Sequence, residues 1–184
     1  MASPRPARLA DADAPLWAAN HQDDGVTKDR RSEMLHVRPY VPNDRTFVLG
    51  LAPRLAIGKQ PWRDLVLWLK TVEEWLTESI NQHNQKTMVL IAEDEQGEQL
   101  GFATVSHNTH FTGQRQAYIG ELATCEKVEG RGVGSALVEA CEQWAREQGY
   151  TIITLATGAG NTRALRFYDH LGYHNEDVTL TKLL

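Results

Sequence analysis

Val128-Glu129-Gly130-Arg131-Gly132-Val133-Gly134-Ser135-Ala136-Leu137 is the stretch on which the reading of this chain turns. Alternating residues of strand type end just before it, over 117–124. Helical spacing begins just after it, with Leu137, Ala140, Cys141 and Trp144 on one side of a helix over 135–148. Three glycines therefore sit between a strand and a helix. Glycine turns the backbone tightly and lets a ligand approach main-chain N–H groups, because no Cβ stands in the way. A helix N-terminus adds unpaired N–H donors and a partial positive charge. Gly130, Arg131, Gly132, Val133, Gly134 and Ser135 are thus candidate ligands of a phosphate or pyrophosphate. The alternative is a tight connection whose glycines serve packing alone. The spacing Gly130-x-Gly132-x-Gly134 is not G-x-G-x-x-G. The next strand ends Leu155-Ala156-Thr157-Gly158, without the acid that would hold a ribose, so a dinucleotide site is set aside. No Gly-Lys-Ser/Thr follows, which excludes a P-loop.

Outward from the loop the pattern stays regular. Residues 88–93 and 100–107 alternate as strands around the turn Asp94-Glu95-Gln96-Gly97-Glu98, a hairpin signal. A short strand over 34–38 stops at Pro39. Asn43 or Asp44 can cap a helix through Phe47, Val48 and Leu51, which Gly58 to Pro61 breaks. Leu65, Trp68, Leu69, Val72, Trp75 and Leu76 then repeat at helical spacing, a stripe expected in the core. Gly149 ends the helix after the glycine loop. Residues 150–157 form a continuous apolar run, expected as a strand buried on both faces. Asn161 caps a last helix to Leu171, and 176–184 is expected as a terminal strand. The order β-α-α-β-β-β-α-β-α-β makes a mixed α/β domain over 34–184, and no internal repeat is visible.

Residues 1–33 differ. They carry five basic and six acidic residues and three prolines with few large apolar side chains, and are expected to form a flexible arm. Leu16-Trp17 offers that arm a docking point. The chain of 184 residues carries 24 acidic and 19 basic residues, a net charge of -5. That balance argues against a nucleic-acid partner held by phosphate neutralisation. Two cysteines, Cys125 and Cys141, make neither a disulfide framework nor a zinc pattern. No stretch is long and apolar enough for a membrane span, and the first twelve residues lack a signal peptide's apolar region. The expectation is a cytoplasmic protein without membrane, nucleic-acid or metal partners.

Two motifs together resemble the GNAT superfamily of acyl-CoA-dependent N-acyltransferases. Leu122-Ala123-Thr124 followed by Glu129-Gly130-Arg131-Gly132-Val133-Gly134 is similar to the family's fourth strand and pyrophosphate loop. Asn161-Thr162-Arg163-Ala164-Leu165-Arg166-Phe167-Tyr168-Asp169-His170-Leu171-Gly172-Tyr173 is similar to its second CoA motif. The resemblance covers 34–184. It implies a mixed, mostly antiparallel sheet flanked by helices and splayed between strands 4 and 5, with acetyl-CoA as co-substrate in the splay. There is one departure: the family loop usually opens with Arg or Gln where this chain has Glu129. A carboxylate beside a pyrophosphate is repulsive, and Arg131 is the residue expected to compensate.

The resemblance implies roles for named residues. Leu122, Ala123 and Thr124 would pair through their main chain with the pantetheine arm. An N–H near Leu122 would face the thioester oxygen, and Asn161 would contact CoA while capping its helix. Tyr168 holds the family position facing the thiol, as a hydrogen-bond donor to the leaving thiolate; its alternative is a core tyrosine beside Leu165 and Leu171. Local alternation puts Glu121, Ala123 and Cys125 on one face of the strand and Leu122 and Thr124 on the other. Glu121 is then either the base that deprotonates the amine or an exposed strand carboxylate. The acceptor site is expected between 52–75 and the 107–115 loop, with Trp62 as a wall. His107 and His110 are expected to face water or the acceptor rather than a metal. The expected activity is direct transfer of an acetyl group to a small-molecule or peptide amine. A CoA-binding sensor or interaction module that has lost turnover is the alternative, and a homodimer is left open.

Overall fold

The computed structural model describes residues 35–184. The expected arm over 1–33, Leu16-Trp17 and the strand start at Met34 lie outside the described residues. Five strands form one sheet in the order β1-β2-β3-β4-β5. They are β1 (His36–Pro39), β2 (Thr87–Glu93), β3 (Gln99–Thr109), β4 (Arg115–Thr124) and β5 (Ile153–Leu155). The first four pair antiparallel, and β5 runs parallel to β4. The mixed, mostly antiparallel α/β sheet is as expected. No helix of the described residues is long and apolar enough to cross a membrane.

Helices cover both faces. On one lie α1 (Arg45–Gly50) and α2 (Leu65–Asn81), on the other α3 (Val133–Glu147). α4 (Thr162–His170) sends Phe167 and Tyr168 to the α3 side. The cores are separate because strand side chains alternate. Val89, Ile91, Phe102 and Ala123 face Val48, Val72, Leu76 and Ile80. Leu90, Ala92, Ala103, Val105, Ala117 and Ile119 face Val133, Leu137, Val138 and Cys141. Each fully buried Val, Leu or Ile is worth about 1.5–3 kcal/mol.

The local signals act where sequence puts them. Asp64 Oδ1 accepts the Leu67 N–H at 2.8 Å and starts α2. Gly149 takes φ +78 after α3, as a C-terminal glycine does. Asp44 takes the N-cap position of α1, as expected, but its buried side chain turns away from that helix and accepts from Arg38 at 2.7 and 3.0 Å and from the Val41 N–H at 2.8 Å. It ties β1 to the start of α1.

Three expectations are corrected. The buried stripe of α2 is Val72, Leu76 and Ile80, whereas Leu65 and Trp75 are 49% and 56% exposed. The helix is regular, but the chain packed against it covers a narrower arc than its apolar residues span. β5 is three half-buried residues at the sheet edge, not a long strand buried on both faces. Residues 176–184 form no strand and are exposed.

Candidate acyl-transfer site

The geometry turns on one irregularity in β4. Ala103 pairs with Leu122 but Val105 pairs with Ile119, so Gly120 and Glu121 together face Thr104. This is a β-bulge, which kinks a strand and re-aims its side chains. Gly120 permits it, since a Cβ there would lie 2.9 Å from Thr104 Oγ1. Thr104 Oγ1 accepts the Glu121 N–H at 2.9 Å and donates to the Glu121 carboxylate. The bulge breaks the alternation of β4. Ala117 and Ile119 face α3, and two residues further on Glu121 would too. The extra residue moves it to the α2 side, where Ser79 Oγ donates to its carboxylate at 3.5 Å. Burial raises the Glu121 pKa above the usual carboxylate range, opposed by the hydrogen bonds from Thr104 and Ser79.

Beyond the bulge the sheet opens. β5 pairs with β4 only over Ala117, Tyr118 and Ile119, although β4 continues to Thr124. The Cys125 N–H bonds to Leu100 O at 2.8 Å, on the β3 side. By alternation Ala123 also turns its peptide groups toward β3, and Leu122 and Thr124 turn theirs toward the side β5 has left. Ala123 packs toward α2 and Leu122 toward α3, as expected. Cys125 departs from its expected face. The strand has ended, and its side chain joins the α3 cluster.

The glycine loop borders this opening. Gly130 and Gly132 have φ +77 and +85, and an added Cβ would meet nothing within 4 Å at the first and only Leu35 at 4.0 Å at the second. The Ala136 N–H makes the first bond of α3, to Gly132 O at 3.0 Å. The N–H groups of Val133, Gly134 and Ser135 precede it and have no intrahelical acceptor. Open glycines and a free helix end make a cradle suited to a pyrophosphate. Gly134 is different: a Cβ there would lie 3.2 Å from Phe167 Cζ, so this glycine lets α4 approach α3.

Glu129 is held between two guanidinium groups, Arg54 and Arg163, in ion pairs that lower its pKa. The charge of the departing residue is therefore offset by Arg54, on a 3-10 turn over 52–56, and by Arg163 of α4, a role that sequence assigned to neither. Arg131, expected in that role, is exposed.

Asn161 Oδ1 accepts the Ala164 N–H at 3.1 Å and caps α4. Its Cβ would lie 2.6 Å from one built on Gly58, so the 57–60 turn abuts the start of α4. Tyr168 is partly buried against the α3 cluster, with ring centroids 5.0 Å from Phe167 and 5.7 Å from Tyr173. Burial pushes its pKa up to about 12, with the Cys141 thiol adding to the shift. Its hydroxyl makes no hydrogen bond with a described residue. Glu121 and Tyr168 thus lie on opposite faces of the sheet.

The 107–115 hairpin lies elsewhere. His107 pairs with Ala117, at the closed end of β4, roughly 15–20 Å along the strand from Leu122. There His107 Nδ1 is 2.6 Å from the Tyr150 hydroxyl and the ring lies against Trp144. The hairpin is thus no wall of the opening. The 57–60 turn and exposed Trp62 precede α2 in the chain. Among the described residues no three His, Cys, Asp or Glu are grouped to hold a metal ion. Thr104, Ser79, Gly120, Arg54 and Arg163 were missed. Only Gly120, a glycine inside a strand, carried a local signal of a bulge.

The acetyltransferase (GNAT) family's sequence profile matches residues 54–173. The chain is 26% identical over 112 residues to the L-methionine sulfoximine/L-methionine sulfone acetyltransferase of Pseudomonas aeruginosa, covering 61% of this chain and 63% of that one. It is 30% identical over 131 residues to N-acetyltransferase 8F1 of Rattus norvegicus, covering 69% and 57%. The matches span less than two-thirds of each relative's length. The fold resembles that of a ribosomal-protein-alanine N-acetyltransferase from Brucella melitensis, with TM-score 0.59, 14% identity and coverage of 82% and 99%. It also resembles AAC(6')-Iy, solved with a CoA bisubstrate analogue, with TM-score 0.59, 20% identity and coverage of 82% and 99%.

Proposed function

The chain belongs to the acetyltransferase (GNAT) family, and from that premise we propose that it moves an acetyl group directly from acetyl-CoA to a primary amine. The observation that carries the proposal is the parting of β4 from β5 beyond Ile119, with the glycine cradle at one end and Glu121 on the bulge beside it. Acetyl-CoA supplies the activated thioester. Gly130, Gly132 and the free N–H groups of Val133 to Ser135 bind its pyrophosphate. Leu122 and Thr124 hold the pantetheine arm by their peptide groups, and the Leu122 N–H donates to the acyl oxygen.

Glu121 takes a proton from the ammonium acceptor, directly or through one water, which frees the nitrogen lone pair for attack. Burial raises its pKa and so brings it closer to that of the ammonium group whose proton it takes. Tyr168 stays protonated. With its pKa near 12, full transfer to a departing thiolate would be uphill by about 5 kcal/mol, so it acts as a hydrogen-bond donor. Trp75, exposed one helical turn before Ser79, offers the acceptor an aromatic wall. The Pseudomonas relative's name gives small amino-acid analogues as acceptors, which favours a small-molecule amine, in a cytoplasmic setting.

The test incubates the full chain with acetyl-CoA and a panel of primary amines, following released thiol and product mass, with calorimetry for CoA. Amine-dependent thiol release with a product heavier by one acetyl group is expected. CoA binding without turnover on any amine supports the sensor reading instead, and absence of CoA binding refutes both.

A further inference from the structure

Arg54 and Arg163 have no part in the acyl-transfer steps above, yet both stand at the entrance to the glycine cradle. Their shared partner is Glu129, the residue immediately before Gly130. Arg54 Nη2 donates to Glu129 Oε1, and Arg163 Nη1 donates to Glu129 Oε2. Two guanidinium groups around one carboxylate leave the group with a net positive charge.

The two cations come from segments that meet. Arg54 is half-buried on a firm platform. Ala52 and Leu55 beside it join the α1–α2 core, and Leu55 O accepts the Trp68 Nε1–H at 3.2 Å. Arg163 lies in the first turn of α4 and is 66% exposed. A Cβ on Gly158 or Gly160 would lie 3.1 or 2.9 Å from Gly58 O, so only glycine there lets the turn after Arg54 close on the loop before α4.

Glu129 does not use up either guanidinium. Arginine carries five N–H donors in a planar fork. Arg54 commits one amino group to Glu129, and its Nε is buried with no acceptor among the described residues. Buried donors are nearly always paired, so this one marks a place where an acceptor belongs. Arg163 makes its one side-chain bond to a described residue through Nη1, and its other N–H groups remain for a ligand.

On the reading that this chain binds acyl-CoA, we propose that Arg54 and Arg163 clamp its pyrophosphate, with Glu129 as the anchor that holds one amino group of each guanidinium while their other N–H groups serve phosphate oxygens. The carboxylate that opens the loop then orients the clamp rather than opposing the ligand. Arginine suits both tasks, because it is always charged and its fork can meet two oxyanions at once.

The test is calorimetry of CoA binding to wild type, to Arg54→Met, to Arg163→Met, and to each of these combined with Glu129→Gln, with melting curves to show folded protein. Methionine keeps an unbranched stem and removes the donors. Each single substitution should weaken CoA binding by about tenfold or more, as loss of a hydrogen bond to a charged group does. Each double variant has the net charge of wild type, since one cation and one anion leave together. Its affinity should stay as low, because the donor is still missing. Dephospho-CoA, which keeps the pyrophosphate, should show the same losses, and pantetheine, which has no phosphate, should show none. Arg163 is exposed, so its variants carry the test should Arg54→Met fail to fold.

Four results overturn the clamp. One is wild-type affinity in the single variants. Another is recovery in the double variants, which means that the arginines only cancel the carboxylate's charge. A loss absent with dephospho-CoA moves the contact to the 3′-phosphate, and an equal loss with pantetheine makes the effect structural. Wild type that binds no CoA refutes the acyl-CoA reading and the clamp with it, whereas the other four leave that reading standing.

Discussion

Replacing Thr104 by valine changes little in shape and removes one oxygen that does two jobs. Thr104 is 2% exposed, and its Oγ1 accepts the Glu121 N–H at 2.9 Å while donating to the Glu121 carboxylate. Valine leaves a buried N–H unpaired and strips the carboxylate of its principal donor; Ser79, at 3.5 Å, is the longer contact that remains. An orphaned buried donor costs about 1–3 kcal/mol, and a hydrogen bond to a charge contributes about 1.5–3, so Thr104→Val should lose roughly 3 kcal/mol. For a domain of this size that lowers Tm by about 6–12 °C. Catalysis should report the same change separately. The Thr104 bond lowers the Glu121 pKa against burial, so its removal moves that pKa further up. The acid limb of kcat/KM, which follows ionisation of the base, should move to higher pH. The assays are denaturant unfolding and a pH–rate profile with one amine acceptor. Thr104→Ser keeps the hydroxyl and should restore the limb. A valine variant with unchanged stability and an unchanged limb would refute the role assigned to the bulge.

Glu121→Gln should lower kcat/KM by ~10²–10⁴-fold near neutral pH and recover as pH rises toward the amine's own pKa of ~10, read from parallel pH–rate profiles. Stability should move the other way. Glu121 binds its proton more tightly folded than unfolded, so wild type loses stability as pH rises through the folded pKa. The glutamine variant should therefore match or exceed wild-type Tm at neutral pH, with the difference vanishing in acid. Tyr168→Phe should leave CoA affinity and Tm near wild type, because the hydroxyl bonds to no described residue, and lower kcat by ~10²-fold; an unchanged kcat would make Tyr168 a packing residue. Gly132→Val and Gly134→Val should separate by calorimetry and melting. The first fills the open cradle at φ +85 and abolishes CoA binding in a folded protein; the second drives into Phe167 and costs about 1–3 kcal/mol of stability.

Some elements were legible in sequence because neighbouring residues decide them. The hairpin joining β2 and β3, the Asn161 cap and the terminating Gly149 depend on contacts within about five positions. The glycine loop was legible for the same reason, though its glycines divide the work in a way that spacing does not reveal. Gly130 and Gly132 face open space and Gly134 faces Phe167, thirty-three positions away. The stripe on α2 was overread because periodicity records which side chains can be buried, not how much of the molecule covers them. Trp75 and Leu65 are therefore exposed at positions that look like core.

The strand-loop-helix around Gly130 to Ser135, the α/β order as far as α4 and the candidacy of Tyr168 and Asn161 were determined by sequence alone, since each rests on residues close in the chain. Tertiary structure decided the rest. Glu121 lies on the α2 face because Gly120 yields to Thr104 on a neighbouring strand, and no alternation within β4 foretells that extra residue. Glu129 is neutralised by Arg54 and Arg163, which lie 75 and 34 positions away. Residues 176–184 carry a strand's pattern without a strand, because pattern marks the capacity to pair and only a partner edge within reach makes a pair. Side-chain alternation and glycine geometry are local properties of the backbone, whereas desolvation, charge pairing and strand pairing depend on what the fold brings alongside.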